Sequence, residues 1–288
     1  MTLDDALRYG AKKIGKRDAK LLLSHITGYS TSGIMLHCLR EITDSDFAAY
    51  DSCLERRRTG EPLQYIMGQW DFMGLTLRTD KRALIPRPET ELLVDAAQPL
   101  FADYMHSNQH ARLEASEKKS PLRVLDVCTG SGCIALAIAR LTDGLTEITA
   151  VDISDEALSL AKENAEKLGL AGQINFIKSD MLDAVSGEFD VIISNPPYIL
   201  SGEMASLSPT VRDYEPHLAL DGGADGLDFY RRLIPQSFKA LRAGGALFLE
   251  IGPVAVLELM ADAGFENINM MRDYAELERI VYGVKPNV

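Results

Sequence analysis

Residues 123–140 read R-V-L-D-V-C-T-G-S-G-C-I-A-L-A-I-A-R. R-V-L-D-V (123–127) has the composition of a buried strand, and I-A-L-A-I-A-R (134–140) that of a helix. Between them, Gly130 and Gly132 let the backbone turn tightly and approach a ligand, and the start of the helix offers unpaired N–H groups. The spacing is not the G-x-G-x-x-G of dinucleotide enzymes. A glycine loop alone is therefore compatible with a bound nucleotide or with a bare strand–helix turn.

The pattern repeats downstream. E-I-T-A-V-D (147–152), I-N-F-I-K (174–178), F-D-V-I-I-S (189–194) and A-L-F-L-E-I (246–251) read as strands. Residues 154–168, capped by Ser154, together with 229–241 and 254–264, read as helices, and two more strands follow near 267–272 and 279–284. Pro235 is expected to kink its helix. Strands alternating with helices give a parallel, doubly wound α/β sheet with an antiparallel edge at the C-terminus.

Upstream, residues 3–14, 19–26 and 47–58 carry apolar side chains at helical spacing, with Gly10 interrupting the first segment and Thr43 or Asp44 capping the third. They form a small N-terminal helical bundle. Residues 69–79 alternate about Gly74 as two short strands, and a helix begins after Pro88. The polar stretch 105–121 reads as an exposed connection. The expected domains are a helical bundle over 1–68, a hairpin linker over 69–88 and an α/β domain over 89–288.

Composition narrows the function. The net charge is −12, and because residues 1–80 hold equal numbers of acidic and basic side chains, all of it falls on residues 81–288. That part lacks the phosphate-neutralising balance that stable binding of free nucleic acid needs. The lysines and arginines at 12–20 and 56–58 read first as a solvated helix face. The four cysteines have no zinc-like spacing, so no metal is expected. There is no secretory signal pattern and no apolar run of bilayer length, so the expected location is the cytoplasm.

Four stretches converge on one crevice. Asp152 ends the second strand about 20 residues after the glycine loop, where a carboxylate can accept from two ribose hydroxyls. After the third strand, Asp180 can accept from an adenine amino group and Met181 can cover the ring. Gly130 and Gly132 of the loop complete the cradle. Cys128 carries a β-carbon, so its φ is expected to be negative. A nicotinamide dinucleotide and S-adenosylmethionine fit this set equally.

The fourth strand separates them. It ends in S-N-P-P-Y (194–198), and adjacent prolines cannot continue a sheet ladder. An amide or aromatic NH₂ group is a weak nucleophile because its lone pair is delocalised. The Asn195 side-chain oxygen and the Pro196 carbonyl can accept its two N–H bonds. Pro196 and Pro197 stiffen the acceptors, and Tyr198 offers a flat face. No histidine or glutamate nearby stands out as a strong base. These residues alone leave open whether the NH₂ belongs to a base or to an amide.

The chain resembles the protein-(glutamine-N5) methyltransferases of the PrmC/HemK type almost end to end. The matching stretches are G-E-P-L-Q-Y-I-M-G (60–68), L-I-P-R-P-E-T-E (84–91), D-V-C-T-G-S-G (126–132), A-V-D (150–152), S-N-P-P-Y-I (194–199), Y-E-P-H-L-A-L-D-G-G-A-D-G-L (214–227) and R-D-Y-A-E-L-E-R (272–279). N-P-P-Y is shared with adenine-N6 and cytosine-N4 methyltransferases, whereas P-R-P-E-T-E with Y-E-P-x-x-A-L is more specific. The resemblance implies a seven-stranded, Rossmann-like class I methyltransferase sheet behind a helical domain that contacts peptide chain release factors. It implies transfer of a methyl group from S-adenosyl-L-methionine to the glutamine of their Gly-Gly-Gln motif. Cys128 to Gly132, Asp152, Asp180, Met181 and Asn195 would hold the donor. Asn195, Pro196, Pro197 and Tyr198 would hold the glutamine, and Arg87, Glu89, Thr90 and Glu91 would close the pocket.

Overall fold

The computed structural model describes residues 1–113, 120–252 and 254–287. It divides into two compact units, Met1–Trp70 with Ser208–Tyr214, and Asp71–Leu207 with Glu215–Val288.

The first unit contains α1 (Leu3–Ile14), α2 (Lys16–Thr27), α3 (Thr31–Leu36), α4 (Asp44–Arg58) and α5 (Leu63–Met67). Thr2 caps α1 in a reciprocal capping box with Asp5, and Thr43 caps α4 through the Asp46 N–H. Leu3, Leu22, Leu23, Ile34, Tyr50 and Leu54 form its core. Gly10 does not interrupt α1. It is the point where α1 meets the Tyr50 ring: a Cβ there would stand 2.0 Å from the Tyr50 hydroxyl, which donates to the Ala19 carbonyl at 3.1 Å. Several of the basic residues at 12–20 and 56–58 are ion-paired. Lys13 bridges Asp51 and Glu55, Arg57 holds Asp18, and Arg56 holds Glu61. Tyr214 donates to the Thr59 carbonyl at 3.1 Å within this unit.

β1 (Gln69–Phe72) and β2 (Leu75–Arg78) form a two-stranded sheet, and the unit boundary falls inside β1. Phe72, Leu75 and Leu77 join the main core of the second unit, so the stretch read as a linker supplies core. α6 runs from Pro88 to Leu113, through Pro99. The polar segment expected to be a connection is thus helical as far as Leu113, and its residues 114–119 lie outside the described residues.

The second unit continues with β3 (Leu122–Val127), α7 (Cys133–Thr142), β4 (Thr146–Asp152), α8 (Asp155–Lys167), β5 (Ile174–Lys178) and β6 (Phe189–Ser194). After the short α9 (Pro209–Arg212), which belongs to the first unit, come α10 (Asp228–Ala240), β7 (Leu241–Glu250), α11 (Val256–Asp262), β8 (Glu266–Arg272) and β9 (Glu278–Val284). The seven strands lie in the order β5-β4-β3-β6-β7-β9-β8, parallel except for β9, which is antiparallel to both of its neighbours.

Side chains alternate between two cores. Val124, Ile148, Val191 and Phe248 face the layer of α6 and α7. Leu125, Val151, Ile192 and Leu247 face Tyr230, Leu233, Val256 and Met260 of α10 and α11. Burial on both faces is why these strands read as near-continuous apolar runs. The strand order reverses between β3 and β6, and in such sheets the crevice beyond the strand C-termini at that reversal is the ligand position.

Candidate active site

β3 ends by handing the chain to α7 through Cys128–Gly132, which fix the loop from below. The Thr129 N–H donates to the Val151 carbonyl of β4 at 2.9 Å, and the Gly132 N–H donates to the Thr129 carbonyl at 2.8 Å. Asp126, wholly buried, accepts the Thr129 hydroxyl at 2.6 Å and the Ala135 N–H in the first turn of α7 at 3.1 Å. Burial pushes its carboxyl up to about 7, against those two hydrogen bonds.

The loop corrects one expectation. Cys128 has φ +60, not a negative value. The turn demands a left-handed residue here, and the anchored loop imposes that on a side chain with a Cβ at a cost of about 1–2 kcal/mol. Gly130 and Gly132 are also left-handed. A Cβ on Gly132 would press to 3.1 Å from the Ala161 Cβ, so this glycine seats α8 against the loop.

Asp152 ends β4 with its carboxylate shared by the Gly130 N–H at 2.9 Å and the Ser154 N–H at 2.9 Å. It therefore braces the glycine loop and the start of α8 together. Asp180, after β5, pairs with Arg232 of α10 at 2.7 Å.

Above the loop lies a cavity of about 240 Å³. Cys128, Thr129, Gly130, Ser131, Asp152, Asp180, Met181, Arg87, Thr90, Asn195 and Pro197 all line it. Ile153, Phe229 and Leu218 add apolar walls that the sequence reading did not name. Gly132, Pro196, Tyr198, Glu89 and Glu91 stand outside the lining. Glu91 accepts the Met73 N–H at 2.7 Å, which ties α6 to the β1–β2 turn.

The two family-specific stretches meet at Glu215, which is 3 % exposed. It accepts the Ile85 N–H at 3.1 Å and pairs with Arg87 at 2.5 Å, so Y-E-P holds P-R-P-E-T-E at the cavity wall. The N-P-P-Y turn is clamped from the other side. Ile199 N–H donates to the Leu220 carbonyl at 2.9 Å, and Gly222 N–H donates to the Ile199 carbonyl at 2.7 Å.

Asn195 donates its side-chain nitrogen to the Thr90 hydroxyl oxygen at 3.0 Å. Thr90 in turn donates to Glu250 at 2.7 Å, and Tyr198 donates to the other Glu250 oxygen at 3.2 Å. Glu250 was missed by sequence reasoning, which saw no glutamate near the motif. Its one signal is a lone acid at the end of an apolar strand, on the sheet edge that carries N-P-P-Y. Burial pushes its carboxyl up to about 7, opposed by the bonds from Thr90 and Tyr198 and by the charge of Arg279. Among the described residues no cluster could hold a metal ion, and no helix is long and apolar enough to cross a membrane.

The residues fit a donor that is part nucleotide, part cation. Carboxylates stand at the ends of β4 and β5, apolar walls lie between them, and left-handed glycines leave room for close backbone approach.

The chain is similar to known proteins. The model of the "PrmC N-terminal domain" matches residues 6–68, and that of the "Methyltransferase small domain" matches residues 95–209. The release factor glutamine methyltransferase of Koribacter versatilis is 37 % identical over 298 residues, covering 99 % of each chain. That of Bradyrhizobium diazoefficiens is 39 % identical, covering 87 % of this chain and 80 % of its own. Among solved structures, the T. thermophilus 16S rRNA methyltransferase RsmC in complex with AdoMet and guanosine aligns with TM-score 0.53 at 20 % identity, over 75 % of this chain and 49 % of that one. A methyltransferase from Pyrococcus furiosus aligns with TM-score 0.50 at 19 % identity, over 74 % and 90 %. At those identities the likeness is one of fold, the seven-stranded class I methyltransferase sheet.

Proposed function

The chain belongs to the release factor glutamine methyltransferase family, and on that premise we propose that it methylates the side-chain amide nitrogen, N5, of the glutamine in the Gly-Gly-Gln motif of peptide chain release factors. It is an S-adenosyl-L-methionine-dependent methyltransferase. That cofactor supplies an electrophilic methyl group on a positively charged sulfur. Cys128–Gly132, Asp152, Asp180 and Met181 are the residues that would hold it.

The observation that carries the proposal is the orientation of Asn195. Its nitrogen is committed to Thr90, so its oxygen is the atom left to accept from a substrate N–H at the cavity wall. In this reading the carbonyl of Pro196, between the lining residues Asn195 and Pro197, is the second acceptor, and the prolines spare both any reorganisation during reaction. Held this way, the amide nitrogen would take the methyl group as the methyl–sulfur bond breaks and the sulfur is left neutral, and it would give up one proton to solvent. Asn195 and Pro196 stabilise the positive charge that develops on nitrogen, and the rest of the task is in-line placement. Arg87 and Thr90 shape the entry, with Glu89 and Glu91 behind them. Tyr198 braces the turn through Glu250.

In this reading residues 1–68 dock the release factor, residues 69–88 connect, residues 89–288 perform the transfer, and the protein works in the cytoplasm without stable binding to free nucleic acid.

The test is incubation with methyl-labelled S-adenosylmethionine and either unmodified release factor or nucleic acid. Label in the release factor, at the Gly-Gly-Gln glutamine, supports the proposal. Label only in nucleic acid overturns it.

A further inference from the structure

Glu250 ends β7 beside the N-P-P-Y turn and is 1 % exposed. Each of its carboxylate oxygens receives one hydroxyl, from Thr90 at 2.7 Å and from Tyr198 at 3.2 Å. Its own carbonyl receives a third, from Tyr230 at 2.8 Å. An ionised carboxylate can only accept, so it dictates which way those hydroxyl protons point. Thr90 has one proton and spends it on Glu250. Its oxygen can then only accept, and the group it meets at 3.0 Å is the Asn195 amide. Only the amide's nitrogen end satisfies that contact.

The direction of every bond in the chain Asn195–Thr90–Glu250 thus follows from one negative charge. We propose that Glu250 is a positioning residue for methyl transfer: its ionised carboxylate, acting through the Thr90 hydroxyl, fixes the Asn195 side chain with oxygen rather than nitrogen facing the substrate NH₂. The inference rests on the reading of Asn195 as the amide clamp. A protonated Glu250 can donate to Thr90, Thr90 can then donate to Asn195, and the flipped amide presents N–H groups to N–H groups.

The groups facing Glu250 come from five elements. They are Thr90 and Glu89 of α6, Cys133 of α7, Tyr198 after β6, Tyr230 of α10 and Arg279 of β9. Burial pushes both tyrosines and the Cys133 thiol upward, and Arg279 is held by Asp273 at 3.2 Å. Burial pushes the Glu250 carboxyl up to about 7, so it changes charge near neutrality.

Two measurements on the full chain test this. The first is turnover on release factor from pH 5.5 to 9 for wild type, Glu250→Gln and Thr90→Val, with donor affinity measured alongside. Wild-type kcat is expected to rise through an apparent pKa near 7. Both variants should lose that limb and fall roughly 10–100-fold in kcat, with donor affinity held within about threefold. The double variant should be no worse than the poorer single, because the two residues act as one chain. The second is the side-chain amide NMR signal of Asn195 across the same pH range. It should titrate near 7 in wild type and stay flat in Glu250→Gln. This needs no substrate, so failure of the substrate assignment leaves it standing. A wild-type pH profile in both variants, or an Asn195 signal indifferent to Glu250, overturns the inference. If Glu250→Gln does not fold, Thr90→Val and the wild-type titration decide it.

Discussion

Gly222 lies flat against Tyr198: a Cβ at Gly222 would stand 2.6 Å from the Tyr198 Cα and 2.9 Å from the Pro197 carbonyl oxygen. The obstructing atoms are backbone, so no rotamer change can relieve the clash. Gly222→Ala must push the N-P-P-Y turn away from the D-G-G segment. The expected result is a loss of about 1–3 kcal/mol of stability and a larger proportional loss of turnover than of donor binding, read by denaturant unfolding and by methyl transfer.

Asn195→Ala removes one substrate acceptor and leaves the glycine loop, Asp152 and Met181 in place. Donor affinity should stay within several-fold, while turnover falls on the order of 10²-fold or more, as for loss of one preorganised electrostatic contact. Isothermal titration with the donor and a methyl-transfer assay separate the two. Unchanged turnover would remove Asn195 from its assigned role.

At Cys128, φ +60 predicts an uneven tolerance. Glycine adopts that conformation without strain, so Cys128→Gly should keep donor affinity within about threefold, the relief of strain offsetting the lost packing. Cys128→Val places a β-branched side chain in the same conformation and should cost about 1–3 kcal/mol. Thermal melts and donor titration of the two variants check the contrast.

The first unit has its own test. The Cβ of Gly10→Ala would fall 2.0 Å from the Tyr50 hydroxyl, which is buried and bonded to Ala19. The α1–α4 contact must open, and a loss of about 1–3 kcal/mol is expected in unfolding experiments.

Two buried acids set a pH dependence of stability. Asp126 and Glu250 both titrate near 7 when folded, well above the range of a solvated carboxyl. The folded chain therefore holds protons that the unfolded chain has released, and stability contributed by these groups is lost as pH rises from about 4.5 through 7. Asp126→Asn should flatten the slope of unfolding free energy against pH in that window. A slope identical to wild type would refute the shifted titration.

The sheet was legible because its strands are buried on both faces and its helices carry their own caps. β5 and β6 fall where the apolar runs place them, and Ser154 caps α8 through the Ala157 N–H. β7 begins earlier than the run A-L-F-L-E-I suggests, since Leu241 pairs with Phe189 through backbone while R-A-G-G carries no apolar signal. What sequence could not show depends on distant partners. The φ of Cys128 is set by a loop anchored on β4. The role of Glu250 depends on Thr90, 160 residues away, and D-G-G reads as a mere turn until Tyr198 is seen against it.

The central claim is that the methyl group goes to an amide nitrogen. After labelling of unmodified release factor, the protein is hydrolysed in acid, the hydrolysate is made alkaline and the volatile fraction is counted. An N5-methylated glutamine releases its label as methylamine, and the account predicts that outcome, with the label lost when the Gly-Gly-Gln glutamine is replaced. Label that stays with the non-volatile amino acids, or that persists after that replacement, would contradict it.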